Sequence, residues 1–369
     1  MRRRPMPRPA VTSPPRAVAS PGKPFDCEAD VLEGLEPFAA AEIAERTGSK
    51  AKLVAPQRPG ALRFRYSGDL RALLGLRSVV AIYLVRRFDV PRPRALLGHQ
   101  HFETLIATIE VVRRLWPPGS FTTLRLSAAG EESTVLRRLK DELAQRTGLA
   151  LADEADLLLR LRPTVDAEGW EVLVRISPRP LATRAWRVCN MPGALNATLA
   201  HCMLRLSRPS ADDVVVNVAC GSGTLLVERL AIGPIRSALG CDTDPAALAC
   251  ARANLAAAGF ERLVRLEPWD ARQLALPTAS VNMICADLPF GQLVGSHQEN
   301  EALYPQIMAE AARIAVPHAR MVLLTHEVRL LERVAAAYAR HWRIEEVVRV
   351  RSGGMNPRIY LLRRTPAAF

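Results

Sequence analysis

The sequence predicts an α/β chain: a C-terminal half on a mostly parallel sheet with an antiparallel last strand, preceded by an α+β half. Three observations carry this. The β-branched run Val214-Val215-Val216-Asn217-Val218 breaks into the turn Ala219-Cys220-Gly221-Ser222-Gly223 and resumes as Thr224-Leu225-Leu226-Val227-Glu228-Arg229-Leu230, with helical spacing of apolar residues. From there to the C-terminus strand-like and helix-like segments alternate, the pattern of a parallel sheet flanked by helices. Before residue 179 short strands and helices follow one another as in small α+β modules.

Residues 1–24 hold Arg2, Arg3, Arg4, Arg8, Arg16 and Lys23 without an acid, and seven prolines, so they contribute +6 of the net charge of +13. Those prolines forbid a continuous helix, and the tail is expected to be disordered. It reads as a solvated extension of an arginine-rich chain, as a non-specific phosphate-binding arm, or, less in keeping with its prolines, as a transit peptide. Residues 25–178 form the next unit. Phe25 to Glu36 leads into a helix through Ala44; strands follow at Ala61–Tyr66 and Val79–Phe88, with a helix near Leu70–Leu76 between them. A helix from His101 to Leu115, a strand from Ser120 to Ser127, a helix from Ser133 to Thr147 and strands Ala155–Pro163 and Gly169–Ser177 complete it. Residues 179–369 form the third unit. After the glycine turn come strand Ser237–Cys241, a helix beginning near Pro245, strand Leu263–Leu266, strand 281–286, a helix over about 301–315, strand Met321–Thr325 and a helix over 328–340. Glu345–Arg351 and Arg358–Arg363 close the chain as a hairpin, which places one antiparallel strand in the sheet. His297 and Gln298 fall in a polar stretch after the Asp287 element, expected to be a surface loop, with contact to substrate as the alternative.

Gly221 and Gly223 remove side chains where backbone must approach a ligand, and the following helix offers free N–H groups. The dinucleotide fingerprint needs another glycine where the chain has Leu226, and the Gly-Lys-Ser/Thr phosphate loop is absent, which disfavours a pyrophosphate or triphosphate. The second strand ends in Asp242-Thr243-Asp244, where a carboxylate can accept both hydroxyls of a ribose, and the third leads to Asp270-Ala271, placed to accept from an adenine amino group. Ribose and adenine without phosphate point to S-adenosylmethionine.

The element Asp287-Leu288-Pro289-Phe290-Gly291 supplies chemistry. An exocyclic amino group on a base is a poor nucleophile because its lone pair is delocalised into the ring. The Asp287 carboxylate and the Leu288 carbonyl can accept its two N–H bonds and turn the lone pair towards a methyl donor, and Asp287 can take up the proton. Pro289 stiffens the turn, and Phe290 offers a face on which an extruded base can stack. Taken singly, each motif has a plain structural reading: a glycine turn after a strand is common, Asp242 can cap a helix, and the Asp287 element can be a strand-to-helix turn.

In this order, the Cys220–Thr224 turn, Gly240-Cys241-Asp242-Thr243-Asp244 and Asp287-Leu288-Pro289-Phe290-Gly291 resemble the Rossmann-like class I methyltransferases of the THUMP-containing RNA guanine-N2 group. Arg179–Arg187 looks like that family's linker and Met191-Pro192-Gly193-Ala194-Leu195-Asn196 like the segment that closes over the cofactor, so the likeness covers most of residues 179–300. It implies a seven-stranded sheet and S-adenosylmethionine held by Pro192, Ala194, Asn217, Cys220, Gly221, Gly223, Thr224, Asp242, Thr243, Asp270, Ala271 and Asp287. Asn217 stands where the family usually has Asp, Leu288-Pro289-Phe290 where Pro-Pro-Tyr is common, and Ala185-Trp186 where Gly-Tyr is common.

Phe121-Thr122-Thr123-Leu124-Arg125 and Asp156–Pro163, with the order of elements around them, resemble a THUMP domain, an RNA-binding module that grips tRNA near its 3′ end. That implies a ferredoxin-like plus THUMP-like RNA-binding region before the catalytic half. Arg125, Arg137, Arg160, Arg162 and Arg175, with Arg138 and Lys140, are the candidate phosphate contacts, though each alone reads equally as a solvated charge.

The expectation is guanine-N2 methylation of tRNA near the acceptor stem. Ribosomal RNA is the alternative substrate, and a non-catalytic RNA-binding homologue the alternative to an enzyme. Methylation of adenine in DNA or of a protein glutamine uses a similar loop but leaves the N-terminal half unexplained. No apolar segment is long enough for a membrane span, and the seven cysteines occur singly, so neither a metal site nor a disulfide framework is expected and a reducing cytoplasm fits.

Overall fold

The computed structural model describes residues 24–54, 58–289, 296–351 and 354–366. The basic tail and Phe290 with its neighbours to 295 lie outside the described residues.

The N-terminal half consists of β1 (Phe25–Asp30), α1 (Glu36–Thr47), β2 (Ala51–Val54), β3 (Ala61–Tyr66), β4 (Ala81–Phe88), α2 (His99–Arg113), β5 (Thr123–Ala128), α3 (Thr134–Thr147), β6 (Ala150–Leu151), β7 (Leu157–Pro163) and β8 (Trp170–Arg175). Its strands form one eight-stranded sheet in the order β2-β3-β1-β4-β8-β7-β5-β6, joined across its middle by the antiparallel pairing of β4 with β8. The helices follow their local chemistry. Ser133 caps α3, Gly148 ends it at φ +70°, and Leu136, Leu139 and Leu143 recur on its buried face. The helix expected near Leu70–Leu76 is a six-residue 3-10 helix, Leu70–Gly75. Leu70 and Leu73 are its buried residues, an i, i+3 spacing that a 3-10 turn puts on one side, and the segment is too short for a stable α-helix. β2 and β6, not anticipated, are short edge strands whose pairing depends on their neighbours.

The C-terminal half comprises α4 (Ala197–Leu206), β9 (Val214–Val218), α5 (Thr224–Ile232), β10 (Ser237–Cys241), α6 (Pro245–Ala257), β11 (Val264–Glu267), β12 (Val281–Asp287), α7 (His297–Ile314), β13 (Ala315–Thr325), α8 (Val328–Ala337), β14 (Trp342–Arg349) and β15 (Arg358–Arg364). The sheet order is β11-β10-β9-β12-β13-β15-β14, with β15 antiparallel to both its neighbours. Strand order reverses between β9 and β12, so the glycine turn and Asp287 leave the same edge at the switch point, where open α/β sheets bind ligands. His297 opens α7 instead of lying in a loop: Ser296 caps the helix, and His297 Nδ1 is 2.9 Å from the Glu327 carboxylate.

A buried carboxylate joins the two halves. Glu228, one turn into α5 and fully buried, accepts from Arg77 of the N-terminal half at 2.8 and 2.9 Å and from Arg184 of the linker at 3.0 Å, with His201 Nδ1 3.3 Å away. Arg184 also donates to the Arg77 carbonyl at 2.7 Å, and Glu42 of α1 accepts from the Arg77 and Ser78 amides. Burial pushes the Glu228 carboxyl up, but hydrogen bonds and charge from His201, Arg184 and Arg77 outweigh it and hold the group at about 2. Farther out, the Arg351 amide donates to the Glu33 carbonyl, and Gly34, at φ +96°, sits so close that a Cβ would meet the Arg349 carbonyl.

Glu228→Gln is expected to destabilise the protein by about 3–5 kcal/mol, because the Arg77 and Arg184 guanidiniums lose their counter-charge. Urea denaturation checks this. The Glu228 contribution is present above the ordinary carboxylate range and is lost as pH falls towards 2, so the difference from wild type should shrink in acid.

Candidate functional site

A cavity of about 640 Å³, a size usual for small-molecule sites, opens at the carboxyl ends of β9, β10, β11 and β12. Its walls include eleven residues singled out from the sequence: Pro192, Ala194, Asn217, Cys220, Gly221, Thr224, Asp242, Thr243, Asp270, Ala271 and Asp287.

The floor is the turn after β9. Ala219, Gly221 and Gly223 have φ of +48°, +51° and +77°. The Cys220 amide donates to the Cys241 carbonyl and the Gly221 amide to Asp242 Oδ2, each at 2.8 Å, so β10 holds the turn open. A Cβ on Gly221 would meet nothing within 4 Å, leaving room for a ligand against the backbone. Ala219 in the left-handed region costs about 1–2 kcal/mol, strain of the kind that collects at binding sites. Gly223 departs from expectation. It does not line the cavity, and a Cβ there would lie 3.1 Å from Ala251 Cβ, so its role is the close approach of α5 to α6.

Asp242 is braced, with Oδ2 accepting from Gly221 and Oδ1 from the Asp244 amide at 3.0 Å. It is Asp244 that caps α6, so Asp242 is released from that duty. Asp270 lines the cavity with both carboxylate oxygens held by the exposed Arg272 guanidinium, which lowers its pKa. An adenine amino group would share that carboxylate with Arg272. Trp269 beside it, under the Arg265 guanidinium at 5.2 Å, adds an apolar wall that the sequence reading passed over although it directly precedes Asp270.

Among the described residues, two buried polar atoms at the cavity have no hydrogen-bond partner. Asn217 donates Nδ2 to the Val218 and Cys285 carbonyls at 3.2 and 3.1 Å, leaving Oδ1 orphaned. That exposes an acceptor for a cationic amine at the end of β9. Asp287 Oδ1 is likewise buried without a partner, and burial pushes its carboxyl from 3.8 to about 7. The Leu288 amide is pinned to the Leu324 carbonyl at 3.0 Å and Pro289 lines the cavity. Phe290 lies outside the described residues.

A cover comes from the segment after the linker, Met191 to Asn196. Asn254 of α6 pairs with both the amide and the carbonyl of Cys189 at 2.9 Å, and Cys189 and Cys250 form a disulfide. That bond corrects the expectation of single cysteines: its partners are 61 residues apart and meet only because the cover lies on α6. Arg187 Nη2 bonds Thr224 Oγ1 at 3.0 Å, tying the cover to the start of α5.

The expected RNA contacts divide. Arg175 is buried, donating to the Ser177, Ala155, Asp156 and Pro178 carbonyls, and Arg162 is paired with Glu28 and Glu171. Arg160 bonds Asp30 and stacks on Tyr83. The donors of Arg162 and Arg175 are thus engaged by acids and carbonyls within this half, whereas Arg160 commits Nη1 to Asp30 and stays partly exposed. Arg138 and Lys140 are paired with Glu142 and Glu131. Arg125 and Arg137 bond the Asp153 and Glu132 carbonyls without an acid on their guanidiniums in those bonds.

Residues 184–358 match the family described as UPF0020, RMKL-like, methyltransferase domain. The C-terminal half therefore carries the likeness to that family. A mouse protein named tRNA (guanine(6)-N(2))-methyltransferase THUMP3 is 33% identical over 190 residues that cover 48% of this chain and 38% of that protein. The chain therefore spans about two fifths of the length of that relative. A Methanocaldococcus jannaschii protein named tRNA (guanine(6)-N2)-methyltransferase is 23% identical over 284 residues, 66% of this chain and 72% of that one. Among solved structures, TrmN from Thermus thermophilus shares the fold across both halves, with a TM-score of 0.72 at 24% identity over 92% of this chain and 99% of that chain.

Reduction by a dithiol, or Cys189→Ser, is expected to speed amide hydrogen exchange across residues 188–195 while leaving the middle of α6 unchanged. Equal protection in both states would mean that Asn254 alone holds the cover.

Proposed function

We propose that this chain transfers a methyl group from S-adenosylmethionine to the exocyclic N2 of a guanosine in tRNA. The observation that carries the reading is the pair of orphaned buried acceptors, Asn217 Oδ1 and Asp287 Oδ1, at one cavity on the switch point of a methyltransferase sheet. The relatives whose names specify guanine-N2 methylation of tRNA support the substrate, and an N-terminal half resembling a THUMP region supports RNA as the partner.

The residues present fit the cofactor. Asn217 Oδ1 would accept from the methionine ammonium, Asp242 would accept from the ribose hydroxyls, and Trp269 and Ala271 would hold the adenine. The bound cofactor supplies an electrophilic methyl group on a sulfonium. Asp287 and the Leu288 carbonyl accept the two N–H bonds of the guanine amino group, which directs its lone pair out of the ring plane. Ionised Asp287 also takes the proton that the amine sheds. Burial keeps this carboxylate poorly solvated and hence basic, while the cover and Leu288 exclude water. Arg125 and Arg137 remain as phosphate contacts in the N-terminal half.

Transfer of labelled methyl groups to unmodified tRNA and ribosomal RNA in parallel, followed by nucleoside analysis, tests the reading. N2-methylguanosine in tRNA is the expected product; label confined to ribosomal RNA overturns the substrate, and none in either overturns the activity. Asp287→Ala is expected to lower kcat by about 10²–10⁴-fold with cofactor affinity kept, and Asp242→Ala to weaken cofactor binding in calorimetry. Because the acceptor must be ionised, kcat/KM should rise with pH through about 7 and then level off, and Asp287→Asn should abolish that limb. The raised carboxyl destabilises the cofactor-free fold as pH climbs towards 7, so Asp287→Asn is also expected to raise Tm at pH 8 but not at pH 4.

A further inference from the structure

The Leu288 carbonyl must hold one orientation to accept an amino proton, yet it belongs to a turn whose next residue, Pro289, has no N–H with which to anchor itself. Two side chains of α7 supply the anchor. Asn300 Nδ2 donates to the Pro289 carbonyl at 2.9 Å and Tyr304 Oη donates to the same oxygen at 2.8 Å. Both residues are buried, and burial pushes the Tyr304 phenol up, so it stays protonated as a donor. Its direction is set from behind. The Glu327 amide donates to Thr325 Oγ1 at 2.9 Å, and Thr325 Oγ1 lies 2.8 Å from Tyr304 Oη. With the Tyr304 proton committed to Pro289, the Thr325 hydroxyl donates to Tyr304, and the chain runs in one sense from the end of β13 to the catalytic turn. On the other side of the Leu288 carbonyl, the Leu288 amide is pinned to the Leu324 carbonyl.

We propose that Asn300 and Tyr304 are positioning residues for methyl transfer, holding the Pro289 carbonyl so that the Leu288 carbonyl and Asp287 present their acceptors together. This deepens the methyl-transfer reading and rests on it. A misaligned acceptor acts on the reacting geometry and leaves cofactor and RNA surfaces intact, so the loss belongs in kcat.

Tyr304→Phe and Asn300→Ala are tested in single-turnover methyl transfer with cofactor Kd, RNA KM, Tm and the pH profile measured alongside. Each is expected to lower kcat about tenfold, the worth of one buried hydrogen bond, with Kd, KM and the acid limb unchanged, and the double variant to lose more than either. Asn300→Ala carries the test if Tyr304→Phe fails to fold. Unchanged kcat in both variants overturns the proposal, as does a fall in kcat that appears only with matching losses in Kd and Tm, which is the mark of a purely structural role. Wild-type protein that methylates no RNA sinks the underlying reading and this proposal with it, whereas active wild type with active variants sinks the proposal alone.

Discussion

The architecture depends on one buried carboxylate. Glu228 lies a single helical turn beyond the glycine turn that forms the cavity floor, and it gathers a guanidinium from the N-terminal half and another from the linker. A buried charge is tolerated only when paired and hydrogen-bonded, so Arg77 and Arg184 cannot leave without stranding it. The consequence is geometric: the N-terminal half, the start of the cover and the mouth of α5 are referred to a common point. The N-terminal half is thereby held at a fixed reach from the cavity in the second.

Around the cavity, two kinds of preparation divide the work. Backbone is arranged in advance, with a left-handed Ala219 and an Asp242 carboxylate that already bonds Gly221, so no reorganisation is needed when a ligand arrives. Side-chain acceptors are left unsatisfied, at a cost of roughly 1–3 kcal/mol each, at Asn217 and Asp287. A left-handed Ala219 and two unsatisfied acceptors lie where binding relieves them, while Asp213, fully buried in the same half, is neutralised by Arg229 and Arg320. Asn217 shows how a neutral residue serves at the end of β9. Its Nδ2 satisfies two strand carbonyls, and the remaining oxygen still faces the cavity.

Much of the site was legible because its chemistry requires particular residue types at strand ends. Asp242 after β10 and Asp287-Leu288-Pro289 after β12 announce acceptors by composition and spacing, and the strand-helix alternation orders the sheet. The arginines were not legible. Arg125 and Arg162 look alike in sequence, but Arg162 points at Glu171 of the adjacent strand β8 and at Glu28 of β1, which is 134 residues away along the chain. Asn300 and Tyr304 were missed for the same reason, since nothing in a helix eleven and fifteen residues beyond Pro289 signals that its side chains return to that carbonyl.

By itself, the amino-acid sequence determined what is local: the apolar periodicities that make strands and helices, the caps, the turn glycines and the acceptor-bearing strand ends. These follow from short-range sterics and hydrogen bonding, which act within a few residues. Tertiary structure alone decided which charges are free, which cysteines meet, how the two N-terminal modules merge into one sheet through β4 and β8, and which side chains brace the catalytic turn. Those outcomes depend on pairing between residues tens to more than a hundred positions apart, and a buried group takes whichever partner the packed elements bring to it.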